Sequence, residues 1–262
     1  MGFSTLRLDV TGGLARVTLS RPEAANAIDL AMARELEEAA LRLDGDPSVR
    51  AVLLTGEGRM FCGGGDVKAF AAAGDDLPAL LREITTHLHA GVSRLVRLDA
   101  PVVAAVHGSA AGAGLGLVTA ADLVLAGESA RFTMAYTAIG LVPDGSSTFF
   151  LPRLVGHRRA TELTLTNRVL SAAEALEWGL VNRVVPDADL EREATHLAAG
   201  LADGPTRAFG GAKALLRGAW TETLETQMEL ESRGLREAAL TADAPEGLAA
   251  FVEKRRPEFR GR

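Results

Sequence analysis

The chain has 262 residues, of which 47% are hydrophobic and 24% charged, with a formal net charge of −6. These values exclude a disordered or fibrous chain, and the negative balance argues against a nucleic-acid protein, whose affinity rests on Lys and Arg at phosphates. No apolar run approaches the roughly 20 residues needed to cross a bilayer, and the N-terminus lacks a basic stretch followed by a hydrophobic core. Cys62 is the only cysteine, so no internal disulfide can form and a cytoplasmic protein is expected.

In chain order, "LRLDVTGGLARVTLS" predicts two alternating strands that turn at Gly12-Gly13. After "RPEAANA", the segment "IDLAMARELEEAALRL" sets Met32, Leu36, Ala39, Ala40 and Leu43 at helical spacing behind Asp29 as a cap. "AVLLT" is a short continuous apolar run, as expected of a strand covered on both faces. "GEGRMFCGGGDVKAF" then enters a glycine loop and a new helix. Cys62, within that loop, is a candidate nucleophile by residue type but is expected to be a packing thiol. From Pro78 to Arg97, the residues Leu81, Ile84, Leu88, Val92, Leu95 and Val96 make one face of a long helix. "PVVAAV" and "DLVLA" are further buried strands, and the alternation of strands with helices indicates an α/β fold. Beyond about residue 156 the pattern is helical except for "LVNRVV", expected to be a short edge strand. The segment from Asp203 onward reads as an appended helical subdomain, and no fixed-period repeat is present.

Common motifs do not account for the glycines. Gly112, Gly114 and Gly116 are spaced G-x-G-x-G rather than G-x-G-x-x-G, and no phosphate loop, zinc-helix motif or nucleophile elbow occurs. The five histidines are scattered, so no metal site is expected. What remains is one design used twice, strand then glycine loop then helix, at "AVLLTGEGRMFCGGGDVKAF" and "PVVAAVHGSAAGAGLGLVTA". Glycine costs roughly 1 kcal/mol against alanine inside regular structure, so its recurrence suggests backbone brought close to something else. Each loop would offer free backbone N–H groups at a helix N-terminus, and two such ends facing one point would make an oxyanion hole. Tight strand–helix packing is the other explanation, and it leaves the repetition unexplained.

The stretches "RPEAANAI", "FCGGGDVKAF", "PVVAAVHGSAAGAGLGL", "FTMAYTAIGLVPDG", "LPRLVG", "EALEWGLVNRVV" and "APEGLAAFVEKRRPEF" resemble, in this order and spacing, the crotonase or enoyl-CoA hydratase/isomerase superfamily. The resemblance runs nearly end to end. It implies an α/β superhelix of ββα units over residues 1–202 and a helical C-terminal subdomain over 203–262 that serves trimerisation and closes the coenzyme A pocket. Homotrimers or dimers of trimers are implied as well. An acyl-CoA thioester would be the substrate, with no metal, flavin or nicotinamide cofactor. Position by position, the thioester oxygen would be held by the backbone N–H groups of Gly65 and Ala113. Coenzyme A contacts are implied at Ala24, Gly63, Asp66, Val67, Lys68, Phe251 and Lys254, although the two lysines are also explained as solvated surface charges. His89, Gly116 and Tyr136 are implied as substrate-pocket positions.

Hydratases of this family carry two glutamates, and their positions fall here on Gly116 and Tyr136. Hydration needs a group that deprotonates water and a proton for the α-carbon, so loss of both acids puts it in doubt. The next acid is Asp144 in "GLVPDG", by residue type a turn aspartate. The resemblance makes it the acid/base, as in ring 1,2-epoxyphenylacetyl-CoA isomerases, which also shift Δ3 double bonds to Δ2, and in 4-chlorobenzoyl-CoA dehalogenases. The isomerase branch fits better through "FTMAYTAIGLVPDGSSTFFLPRLVG", "LETQMELES" and "EGLAAFVEKRRPEFRGR". The dehalogenase branch shares the glycine at Gly116, "LTLTNRVL" and a histidine at His89, itself also readable as a helix-surface residue, but has tryptophan at the Tyr136 position. The expected function is therefore acyl-CoA isomerisation through an enolate. A weak hydratase, a dehalogenase-like enzyme and a non-catalytic acyl-CoA-binding paralogue are the alternatives.

Overall fold

Strands β1 (Leu6–Thr11) and β2 (Leu14–Leu19) form the expected antiparallel hairpin in the computed structural model, which describes residues 2–262. Gly12 and Gly13 at the turn both take positive φ, the conformation that glycine adopts without a Cβ penalty. Helix α1 (Leu30–Gly45) begins where the cap was read: the Asp29 carboxylate accepts from Met32 N–H at 2.8 Å. Its stripe of Met32, Leu36, Ala39, Ala40 and Leu43 is buried, and α1 packs along α3 (Leu77–Arg97).

Strands β3 (Ala51–Gly56) and β4 (Val102–Val106) lie side by side and parallel at the centre of a six-stranded sheet. Outside them lie β2 on one side and, on the other, β6 (Leu123–Gly127) and the edge strand β9 (Arg183–Val185). Every residue of β4 is buried, because side chains alternate between two covered faces. Val52, Leu54, Val102 and Ala104 join the main core beneath α1 and α3. Leu53, Val103 and Ala105 pack instead on Leu190, Ala194 and Ala198 of α8 (Leu190–Ala202).

Because β3 and β4 are adjacent and parallel, the loops that leave their carboxyl ends emerge on the same side of the sheet. The first loop leads to α2 (Val67–Ala72), and the second, through the short strand β5 (Ser109–Ala111), to α4 (Ala113–Ala120). Strands β7 (Arg131–Thr133) and β8 (Leu170–Ser171) complete a second, three-stranded sheet with β5. These strands of two or three residues carry too few positions for periodicity to signal them. After α5 (Ser147–Val155), α6 (His157–Thr166) and α7 (Ala172–Glu177), the last helices are α9 (Thr206–Gly218), α10 (Leu224–Ala239) and α11 (Asp243–Glu253).

Helix α9 docks on the core through Lys213, whose Nζ lies 2.6 Å from Asp122 and 3.0 Å from the Ala100 carbonyl oxygen. The C-terminal tail folds back, with Arg260 and Gly261 N–H groups donating to Asp243 and Arg50 donating to the Phe259 carbonyl. Helix α10 buries no residue, and Leu224, Met228, Leu235, Leu248, Phe251 and Val252 on α10 and α11 are exposed. Among the described residues no helix is long and apolar enough to cross a membrane.

Candidate active site

The two glycine loops meet. Phe61 and Cys62 N–H donate to the His107 and Ser109 carbonyls, and Ala111 N–H donates back to Cys62, so the loop entrances form a short parallel ladder. Gly64 sits at φ +97° with its backbone against Ala111 and Gly112; a Cβ there would lie 2.8 Å from the Ala111 oxygen. Only glycine permits that approach. The residues that follow, Gly65 and Ala113, both line one cavity of about 560 Å³. Neither of their N–H groups has an acceptor among the described residues. Ala113 is the first residue of α4, where an N–H has no intrahelical partner.

Gly65 departs from the expected design. It lies two residues ahead of α2, whose N-terminus is capped by the Asp66 carboxylate accepting from Ala69 N–H at 3.1 Å. Gly65 is placed instead by pairing with the chain before α1: Ile28 N–H donates to the Gly64 oxygen and Asp66 N–H to the Ile28 oxygen. Arg21 ties this region together, 3.1 Å from Asp66 Oδ2 and 3.2 Å from Asp29 Oδ2, while also donating to the Ala27 oxygen. Burial alone would raise the Asp66 carboxyl, but the Ala69 N–H and the Arg21 guanidinium hold it below the usual range. Arg21 heads the "RPEAANA" stretch, where nothing local marks it as a site residue, because its partners Asp29 and Asp66 are close only after folding.

Most of the remaining cavity wall is apolar. Phe70, Leu81, Ile84, Leu88, Leu141 and Val142 form its walls, so part of the α3 stripe that reads as core faces a cavity. Among the described residues that line it, Asp144 is the only acid and Arg82 the only base. Tyr136 lines it too and donates its hydroxyl to Asp144 Oδ1. Burial first, and then the neighbouring Asp144 charge, push the Tyr136 phenol well above its ordinary value, so it remains a donor. Gly63 and Val67 also line the cavity.

Two expected pocket residues lie elsewhere. Gly116 is buried behind the site, where its bare Cα faces the Gly145 backbone; a Cβ would come within 2.9 Å of the Gly145 oxygen. His89 lies on the outer side of the Asp144 loop, where Nε2 accepts from Gly145 N–H at 3.1 Å and stands 3.7 Å from Asp144 Oδ2. Of the expected coenzyme A contacts, Ala24, Asp66, Lys68, Phe251 and Lys254 do not line the cavity, and Phe251 is 85% exposed on α11. Cys62 is fully buried, donates to the Asn26 oxygen at 3.1 Å, and burial pushes its thiol up to about 12. That is the chemistry of a packing thiol. No group of three or more His, Cys, Asp or Glu among the described residues could hold a metal.

A family model for enoyl-CoA hydratase/isomerase matches residues 9–262. A probable enoyl-CoA hydratase of Rhodobacter capsulatus is 43% identical over 262 residues, covering all of both chains. The 1,2-epoxyphenylacetyl-CoA isomerase of Escherichia coli is 40% identical over 254 residues, 97% of each chain. The crystal structure of an enoyl-CoA hydratase from Polaromonas sp. JS666 superposes with a TM-score of 0.93 at 33% identity, covering 98% of this chain and 100% of the other. Matching motifs, matching fold and end-to-end relatives agree, and the chain belongs to the enoyl-CoA hydratase/isomerase family of the crotonase superfamily.

Proposed function

We propose that the protein is an acyl-CoA thioester isomerase that works through an enolate, moving a Δ3 double bond to Δ2 or rearranging a ring-epoxide acyl group. The observation that carries this reading is the composition of the cavity: two backbone N–H groups without acceptors and one carboxylate, set among apolar walls. In the proposed reaction the thioester oxygen accepts from Gly65 and Ala113 N–H. Asp144 removes a proton from C2, the electron pair moves onto that oxygen, and the dienolate collapses as Asp144 returns the proton at C4. The double bond then lies between C2 and C3. One oxyanion donor is typically worth about 2.7–4 kcal/mol of barrier, comparable with the acid/base itself.

The name of the Rhodobacter relative favours hydration as a second reading. Against it, Gly116 has no side chain and faces the Gly145 carbonyl, and Tyr136 places a phenol where hydratases of the family carry a carboxylate. The exposed apolar residues of α10 and α11 support the further reading that 203–262 is a subdomain meeting neighbouring chains, with Phe251 and Lys254 at a nucleotide site shared between them.

The decisive experiment is Asp144→Asn, assayed on 3-enoyl-CoA, crotonyl-CoA and an aromatic epoxide thioester. Isomerisation is expected to fall roughly 10² to 10⁴-fold while acyl-CoA affinity changes far less, and wild-type hydration of crotonyl-CoA should be at least about a thousandfold below that of two-glutamate relatives. Retention of more than about a tenth of the isomerase rate in the variant would reduce Asp144 to a turn residue. Ordinary hydratase turnover by the wild type would favour the second reading.

A further inference from the structure

We propose that Tyr136 is the positioning residue for Asp144: its hydroxyl holds the carboxylate by Oδ1 and so sets the orientation of the group that takes the substrate proton. The inference rests on the reading of Asp144 as the acid/base. Tyr136 donates to Oδ1. The other oxygen, Oδ2, stands 3.7 Å from His89 Nε2, beyond hydrogen-bond distance, and that nitrogen is already engaged by Gly145 N–H.

The backbone on both sides of the pair holds left-handed conformations. Ala135 holds φ +56° and is spanned by a hydrogen bond from Tyr136 N–H to the Met134 oxygen at 2.7 Å, a strained three-residue turn immediately ahead of the phenol. After Asp144, Gly145 and Ser146 take φ +58° and +69° in succession. Non-glycine residues hold such conformations only when their surroundings over-determine them. Here Gly116 supplies part of that surrounding, since only a residue without Cβ lets the Gly145 carbonyl come so close. A hydroxyl donated to a carboxylate favours the charged form and restricts the rotation of the carboxyl group.

Tyr136→Phe keeps the ring and removes the donor. On a 3-enoyl-CoA substrate, kcat is expected to fall about tenfold to a hundredfold with KM changed less than about threefold, the usual scale of a hydrogen bond to a charged group. The acid limb of the pH–rate profile should move to higher pH, because the base loses a bond that favoured its ionised form. A merely structural ring would leave that limb in place, so unchanged kcat and profile in a folded variant overturn the proposal. Gly116→Ala decides the matter if Tyr136→Phe fails to fold: displacing the Gly145 carbonyl should reproduce the loss of kcat, and a wild-type rate would count against the proposal. Asp144→Asn is measured alongside. If it keeps its activity, the acid/base reading itself has failed; if only the Tyr136 and Gly116 variants keep theirs, the positioning role has failed alone.

Discussion

The first glycine loop ends on a six-residue helix whose N-terminus is capped by Asp66 and tied through Arg21 to Asp29, whereas the second runs into α4, which has no charged residue and is buried at seven of its eight positions. Both loops present an N–H without an acceptor to the same cavity. One is held by ionic and hydrogen-bond tethers between side chains, the other by packing of backbone on backbone. The two should therefore yield to different insults, the first to lost charge and the second to added volume.

Volume added to the second loop should do the most damage. A Cβ on Gly114 would sit 2.5 Å from the Cys62 oxygen and 2.9 Å from its buried sulfur, neither of which can move aside. Gly114→Ala is expected to destabilise by about 3 kcal/mol, the upper end for overpacking, and to lower the melting temperature by roughly 6–12 °C. The matching change in the first loop, Gly65→Ala, meets only the ring of Phe70, the far end of a side chain that can turn. It should cost about 1 kcal/mol. Equal shifts in calorimetry for the two variants would erase the contrast.

Lost charge should come next and fall on the first loop alone. Arg21→Met leaves Asp29 and Asp66 facing each other without a cation in a half-enclosed site. Full burial would make that about 3–5 kcal/mol, and partial exposure reduces it to about 2 kcal/mol. With Gly65 loosened, kcat is expected to drop about tenfold while the far-ultraviolet circular dichroism is kept. A variant that loses fold and activity together would show that Arg21 serves the core, not the loop.

The smallest effect is a pH dependence. Because the Asp66 carboxyl is held below its ordinary value of 3.8, its contribution is present above that value and is lost as pH falls through the lowered one. Urea unfolding should show Asp66→Asn about 1 kcal/mol less stable than wild type at pH 7, with the gap closing below about pH 4. A gap that stays at its full size however far the pH is lowered would mean that the loss does not come from the carboxylate charge.

Much of the frame can be read from the chain itself. Two-residue alternation around Gly12-Gly13 specifies a hairpin, the stripe behind Asp29 specifies α1 and its start, and continuous apolar runs specify strands buried on both faces. The glycines mark the positions where backbone must approach backbone, as Gly64 does. These are local signals: periodicity, caps and residues without Cβ act within a few positions. Asp144 is legible only as a turn residue by its neighbours, and becomes a candidate acid/base through family resemblance.

The tertiary structure decided the rest, because each deciding contact joins residues far apart in sequence. Adjacency of β3 and β4 brings the two N–H groups to one side. Asp66, expected at coenzyme A, is bound to Arg21, 45 positions away, and His89, expected in the pocket, instead braces Gly145 from outside, 56 positions away. The close approach of the Gly145 carbonyl to Gly116 likewise exists only in the fold. No periodicity or motif encodes such pairs; they form because strand order and helix packing close long loops, and the distances that set a site are then those of the packed whole.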